Sequence, residues 1–331
     1  MERRSTSRKY AGHLGQLTPA QESALQTFKS NLESAHLYTP GTEDAKPSHD
    51  DVTLIRFLRA RRFDPAKAQK QFSDTAKWRQ QHDVDNMFAN FNTEELDQSR
   101  CYYPRWTGRR DKDGFPLYVY RLGSLGPIQD EITSVPEKRR YERIIALYES
   151  MIRFVFPLCT YLPHAIAPTP IACSTTIIDF EGATIRQMWS LRNHLQEASV
   201  LATANYPETL GSIAVVNAPS FFPTIWNWIK GWFDEGTRDK IHILGRDSAS
   251  TLLTLVNAPD LPKTYGGELD WKFGDAPNLD DEATKVLGEL PRGSVIFVDG
   301  AVTRPVEYKP PATEKMENGI ANGHTNGMDT K

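Results

Sequence analysis

The stretch STTIIDFEGATIRQMWSLRNHLQEASVLATANYPETLGSIAVVNAP, residues 174–219, decides the fold. Its two ends, STTIIDF (174–180) and SIAVVNA (212–218), are short runs rich in β-branched and apolar residues. Between them lies a long run of helix-forming residues, about 184–204. Strand, helix, strand in that order predicts a parallel pair, because parallel strands need a long crossover and a helix supplies it.

The same alternation continues on both sides. PLYVYR (116–121) and IHIL (241–244) read as further strands, SVIFVDG (294–300) as one more, and a second long helical stretch covers about 136–155. The expected class is therefore α/β, a mostly parallel sheet with covering helices. Upstream the period changes to that of helices. Thr18-Pro19-Ala20-Gln21 carries a capping residue, a proline suited to the first helical position and a capping-box glutamine. Leu25, Phe28 and Leu32 then share one face, followed by Leu54, Ile55 and Leu58, and by Phe72 and Ala76 after the Asp64-Pro65 restart. These predict a small helical bundle over 18–92, preceded by a flexible segment 1–17. The α/β lobe spans 93–300, and 301–331 is an extension whose composition predicts disorder from about 310.

Composition narrows the function. The chain of 331 residues is 39% hydrophobic and 24% charged, with a net charge of −3. That charge gives no global pull toward nucleic acid or anionic membrane, so any membrane contact must be a local patch. Three widely spaced cysteines, Cys101, Cys159 and Cys173, are no disulfide framework, and a reducing, cytoplasmic setting is expected. No signal peptide is expected at the amino terminus, and no uninterrupted apolar run reaches the ~18 residues of a spanning helix. Phosphate-cradle, serine-hydrolase and zinc-protease strings are missing, and His164, His194 and His242 form no ligand pair at helical spacing. No enzyme, metal or cofactor is expected.

The segment APSFFPTIWNWIKGWFDEGTRDK (218–240) carries the functional signal. At helical spacing Phe221, Phe222, Ile225, Trp226, Trp228, Ile229, Trp232 and Phe233 share one broad arc, with Thr224, Asn227, Lys230 and Gly231 opposite. Such a stripe ordinarily packs on a core. Here it holds three of the seven tryptophans, residues that favour membrane interfaces, and is bracketed by Pro219, Pro223, Gly231 and Gly236. A lid over an apolar pocket, able to dip into a bilayer, fits all of these.

LIRFLRARRFD (54–64) followed by a helix to KWR (77–79) resembles the amino-terminal part of the CRAL-TRIO family. So do DKDGFPLYVYRLG (111–123), STTIIDFEG (174–182), NYPETLGSIAVVNAP (205–219), DKIHIL (239–244) and LPKTYGGEL (261–269), in series. Within the family the chain is most similar to the fungal phosphatidylinositol/phosphatidylcholine transfer proteins of the Sec14-like group. The resemblance implies a helical extension, a lobe whose sheet floors a lipid cavity, and a gate helix, here 218–240. It implies an inositol-lipid headgroup site at Arg61, Arg62, Asp111, Glu208, Thr237 and Lys240, where arginine and lysine meet phosphate. It implies a deeper choline-lipid site at Ser174, Thr176, Tyr118 and Tyr148, with aromatic faces for the choline cation. Thr107 stands where the family has a tyrosine, which weakens the choline site unless the adjacent Trp106 supplies a ring.

The expected activity is exchange of phospholipid between membranes, with the lipid as ligand. From the resemblance follow transient contact with Golgi or endosomal membranes, support of phosphoinositide synthesis and membrane trafficking, and a phosphatidylinositol kinase as partner. A monomer is expected. Two alternatives stay open at this point. One is a carrier or sensor of another hydrophobic ligand such as a sterol, tocopherol or squalene, which would have no use for phosphate-binding residues. The other is a lipid hydrolase, which lacks a nucleophile motif.

Overall fold

The computed structural model describes residues 10–232, 238–244 and 247–305. The expected disordered tail beyond 310, with Phe233 and Thr237 of the predicted sites, lies outside the described residues.

The amino-terminal bundle is built from α1 (Pro19–Ser34), α2 (Asp51–Ala60) and α3 (Pro65–Gln81), followed by the short α4 (Val84–Ala89) and α5 (Thr93–Ser99). Each of the first three starts at a side-chain cap. Thr18 and Gln21 form a reciprocal capping box on α1, Asp50 caps α2, and Asp64 caps α3 ahead of Pro65. Leu25, Phe28, Leu32, Leu54, Ile55, Leu58 and Phe72 form the buried core of the bundle. Ala76 is only half-buried; Thr75 takes the inward place one residue earlier.

The segment expected to be flexible, 1–17, is in part packed. Tyr10 and His13 are buried, and the Tyr10 ring lies 5.9 Å from that of Phe115. Leu14 and Leu17 pack on the bundle core. Burial of these apolar side chains offsets the cost of ordering residues 10–17.

The lobe is a five-stranded sheet in the order β1 (Arg105–Arg110), β2 (Pro116–Arg121), β3 (Ser174–Asp179), β4 (Leu210–Val216), β5 (Ile241–Ile243). β1 pairs antiparallel with β2 and all later pairs are parallel. Period-two alternation divides the strands. Leu117, Val119, Ile177, Ala214 and Val216 face one side, where Leu252 of α11 (Ala249–Leu255), Leu261, Tyr265 and Trp271 cover them. Tyr118, Tyr120, Ser174, Thr176, Ile178, Ile213 and Val215 face the other.

That second face is roofed by helices. The short α6 is Gln129–Ser134. A 25-residue helical run then covers Glu137–Tyr161: α7 (Glu137–Ser150), a π-turn (Met151–Val155) and α8 (Phe156–Tyr161). By length and composition this run could span a membrane, although Glu149 and Arg153 interrupt its apolar part, so no uninterrupted apolar run of ~18 residues occurs in it; 56% of that part is buried within the protein. α9 (Ile185–Asn205) is the crossover between β3 and β4, again with a capping box, Thr184 and Gln187.

SVIFVDG does not join the main sheet. It contributes β6 (Ile296–Val298), which turns through Asp299-Gly300, both at positive φ, into β7 (Ala301–Thr303). An Asp-Gly turn of this kind favours a tight hairpin. α12 (Asp281–Leu287) packs beside it.

Candidate functional site: an apolar cavity with polar groups at its strand end

Between the inner face of the sheet and helices α7, α9 and α10 (Phe222–Ile229) lies a cavity of about 1760 Å³, counting its open mouth. Its walls are mostly apolar: Leu122, Ile144, Leu147, Met151, Ile178 and Phe180 are among them.

At the amino-terminal end of the strands the lining becomes polar. Tyr118, Tyr148, Ser174 and Thr176 all line the cavity, so the four residues predicted for a choline headgroup are brought together. The register explains it: Tyr118 pairs with Thr176, and Ser174 lies two residues back on the same face. The Ser174 and Thr176 hydroxyls are 3.4 Å apart, and Ser174 donates to the Thr209 carbonyl at 3.3 Å. The Tyr148 ring stacks on Tyr206, and burial pushes its hydroxyl up to about 12. Trp106 supplies no replacement ring. It pairs with Tyr118 across the β1–β2 ladder but sits in the neighbouring core, its Nε1 donating to the Arg109 carbonyl at 3.1 Å. Thr107 is buried, with its hydroxyl on the Leu117 carbonyl.

Glu208 and Lys240 also line the cavity. Glu208 occupies a left-handed backbone conformation, φ 59°, unusual for a side chain of its size. Two cations converge on it: Lys240 Nζ at 3.1 Å and Arg59 Nη2 at 3.0 Å. Arg59 was missed by the sequence reading, which took the arginines after it in the same string. Arg59 Nη1 in turn lies 3.4 Å from His13 Nδ1. Burial, with Arg59 and Lys240 beside it, depresses His13 to about 3, so the ring is neutral.

The other predicted inositol-site residues are placed differently. Arg61 caps the end of α2 and donates to the Ala60 carbonyl at 2.9 Å; Arg62 follows at positive φ and is exposed. Neither lines the cavity. Asp111 is 9% exposed and its carboxylate is engaged internally. It accepts from the Asp113 and Phe115 amides at 3.0 and 2.9 Å and from the Thr175 hydroxyl at 2.7 Å. It thereby ties the β1–β2 turn to β3. Burial nevertheless raises its pKa above the ordinary carboxylate value.

A buried ion pair braces the cavity wall from the bundle side. Arg79 of KWR donates to both oxygens of Glu149, at 2.7 and 3.2 Å, and the Tyr206 hydroxyl donates to Glu149 at 2.7 Å. Burial alone would raise Glu149; Arg79 and Arg153 outweigh it and hold the carboxyl below its usual range. The two described thiols, Cys159 and Cys173, are free and buried, and burial pushes Cys173 up to about 11.

At the far end the predicted gate is shorter than expected. α10 covers Phe222–Ile229 and tightens into a 3₁₀ turn at Lys230–Trp232. Its apolar arc divides. Phe222, Trp226 and Ile229 line the cavity and Ile225 is buried beneath them, with Phe221 half-buried. Trp228, expected on the same arc, instead turns outward. It is 37% exposed and meets the 52% exposed Trp189 of α9 edge to face, ring centroids 5.1 Å apart. Thr224, Asn227, Lys230 and Gly231 are exposed as expected.

Comparison with known proteins agrees with this architecture. The CRAL/TRIO domain matches residues 100–267 and the CRAL/TRIO N-terminal domain matches 24–74. The Sec14 cytosolic factor of Schizosaccharomyces pombe is 34% identical over 256 residues, covering 77% of this chain and 85% of that protein. The SEC14 cytosolic factor of Candida glabrata is 34% identical over 257 residues, covering 78% and 81%. The phosphatidylinositol/phosphatidylcholine transfer protein SFH7 of Arabidopsis thaliana is 37% identical over 224 residues, 67% of this chain and 40% of that longer protein. Among solved structures, Sfh5 superposes with a TM-score of 0.55 at 15% identity, over 82% of this chain and 96% of its own, a likeness of fold. With its helical extension, its α/β lobe over an apolar cavity and these relatives, the chain belongs to the CRAL/TRIO family.

Proposed function

We propose that the protein is a cytosolic carrier that moves phosphatidylinositol and phosphatidylcholine between membranes. One observation carries this reading: a mostly apolar cavity, with polar side chains gathered at the amino-terminal end of the strands, is covered at the other end by a short helix with an apolar inner face. The acyl chains occupy the apolar part. Each methylene kept from water is worth about 0.8 kcal/mol, so the cavity replaces the bilayer for the two chains during transit.

The deep hydroxyls of Ser174 and Thr176, with the rings of Tyr118 and Tyr148, receive the choline headgroup. The inositol phosphate is met by Lys240 and by Arg59, displacing Glu208 from one or both, with Arg61 and Arg62 toward the surface; Thr237, outside the described residues, completes the set. Asp111 serves that site by holding the turn in place. The chemistry is binding and release, with no bond made or broken. Relatives named as transfer proteins support the lipid classes. Delivery of inositol lipid to a phosphatidylinositol kinase at Golgi or endosomal membranes, by a monomer, completes the proposal. The test is transfer of labelled phosphatidylinositol and phosphatidylcholine between vesicles without ATP. Saturable, protein-dependent transfer is expected; label retained in donor vesicles at every protein concentration would overturn it.

A further inference from the structure

His194 lies midway along α9 and lines the cavity. It is 9% exposed, and neither ring nitrogen has a hydrogen-bond partner among the described residues. On the same helix Met188, Leu195, Ala198 and Ala202 line the cavity beside it, with the hydroxyls of Ser199 and Thr203 on the lining further along. The nearest aromatic, Tyr103, sits 5.3 Å away centroid to centroid, tilted at 45°. A buried imidazole with both nitrogens unanswered is unfavourable unless something in the cavity answers it.

Tyr103 lies three residues before Trp106, which pairs with Tyr118 beside Thr176. At ~3.3 Å per residue, Tyr103 stands up to roughly 10 Å along the chain from the row that holds Thr176. Burial, with Arg140 nearby, lowers His194 to about 4, so it is neutral and offers one donor and one acceptor.

We propose that His194 is a hydrogen-bonding subsite for an uncharged oxygen of the bound lipid, held within the apolar part of the cavity. This rests on the carrier reading above. A neutral imidazole selects a hydroxyl or carbonyl over a phosphate or an ammonium, which would be desolvated there without a counter-charge. Two sources carry such an oxygen at that depth: an ester carbonyl of a phospholipid, or the lone hydroxyl of a neutral lipid with a bulky apolar body.

The experiment compares wild type, His194→Leu and His194→Gln as full chains. Each is equilibrated with vesicles doped with diester phosphatidylcholine, diether phosphatidylcholine or cholesterol, and the protein-bound lipid is counted. His194→Leu is expected to lower occupancy by an oxygen-bearing ligand about tenfold, with His194→Gln restoring most of it. Loss for the diester but not the diether lipid assigns the carbonyl; loss for cholesterol alone assigns the hydroxyl. Unchanged occupancy by all three in a folded His194→Leu overturns the subsite and leaves the carrier reading standing. Failure of wild type to take up any of the three overturns both. Should the leucine variant not fold, ring ¹⁵N shifts of His194 in wild type decide. They must move on loading, and identical shifts with and without lipid overturn the proposal.

Discussion

Tyr148 lies flat on Tyr206, ring centroids 4.8 Å apart and planes within 11°, and the Tyr206 hydroxyl is held by Glu149, the residue following Tyr148. The cavity wall is thus oriented by a buried carboxylate whose counter-charge, Arg79, comes from the bundle. Removing Arg79 leaves the buried Glu149 with Arg153, 3.6 Å away, as its remaining counter-charge among the described residues. Arg79→Leu is expected to cost about 3–5 kcal/mol in denaturant unfolding. The double variant Arg79→Leu with Glu149→Leu should be more stable than the single one. A double variant as unstable as the sum of both singles would contradict the coupling.

The two headgroup sites should separate. Lys240→Ala is expected to reduce phosphatidylinositol transfer by about tenfold, the loss of one charge-assisted contact, and to spare phosphatidylcholine. Ser174→Ile with Thr176→Ile should do the reverse, filling the deeper site with methyls. Stability should change little in Lys240→Ala, because Glu208 keeps Arg59. Parallel loss of both lipids in both variants would refute separate sites; vesicle transfer assays with each lipid measure it.

Two tryptophans on the gate should behave oppositely. Trp226 lines the cavity and stacks near Phe222, so Trp226→Ala is expected to lower stability by about 1–3 kcal/mol. Trp228→Ala, at the exposed Trp189 contact, should cost under about 1 kcal/mol while slowing transfer and weakening vesicle binding. Thermal melts and transfer rates on the same preparations test both, and equal melting losses would remove the distinction.

Flexion at Gly231 can be tested alone. A Cβ placed there meets nothing within 4 Å among the described residues, so Gly231→Ala fits the structure. By restricting the unfolded chain it should be neutral to stabilising, by up to about 1 kcal/mol. If the 3₁₀ turn at Lys230–Trp232 bends during opening, transfer will slow in the same variant. An unaltered transfer rate would place the hinge elsewhere.

Acidification has a defined sign. His13 and His194 are held neutral with folded pKa values of about 3 and about 4, against 6.5 for the unfolded chain. The unfolded state therefore takes up protons first. Stability from both residues is fully present above about pH 6.5 and is lost as pH falls toward 4. Between pH 6.5 and 5 each contributes a loss of about 1–2 kcal/mol. Glu149, depressed below its usual range, adds its own loss only at lower pH. Melts of His13→Gln across this window should show a shallower slope than wild type, and an identical slope would exclude His13 as a contributor.

What the sequence made legible was set by periodicity. Ser174 and Thr176 were singled out by the family resemblance; the alternation of side chains along β3 explains why both line the cavity while Ile177 lies on the covered face. The bundle core followed its helical spacing. Charge was harder. Arg59, Arg61 and Arg62 sit within four residues, and which of them turns inward depends on where α2 ends. The chain leaves the helix through positive φ at Arg62 and Phe63, which no local pattern announced. Tyr10, His13, Leu14 and Leu17 had apolar spacing that could have argued against a flexible leader, and Asp299-Gly300 could have announced the β6–β7 hairpin. Trp228 was misplaced because a wheel cannot register Trp189, a partner from a different helix.

The convergence of Arg59 and Lys240 on Glu208 bears on how a cargo is let go. A receptor profits from cations that wait unmatched for their ligand; a shuttle would be trapped by them. On the headgroup assignment proposed above, an arriving phosphate would take the place of a carboxylate the protein already owns, and on departure that carboxylate would close behind it. The net gain would be the difference between two similar partners, so loading and unloading would stay near balance and the direction of traffic would be left to the membranes at either end.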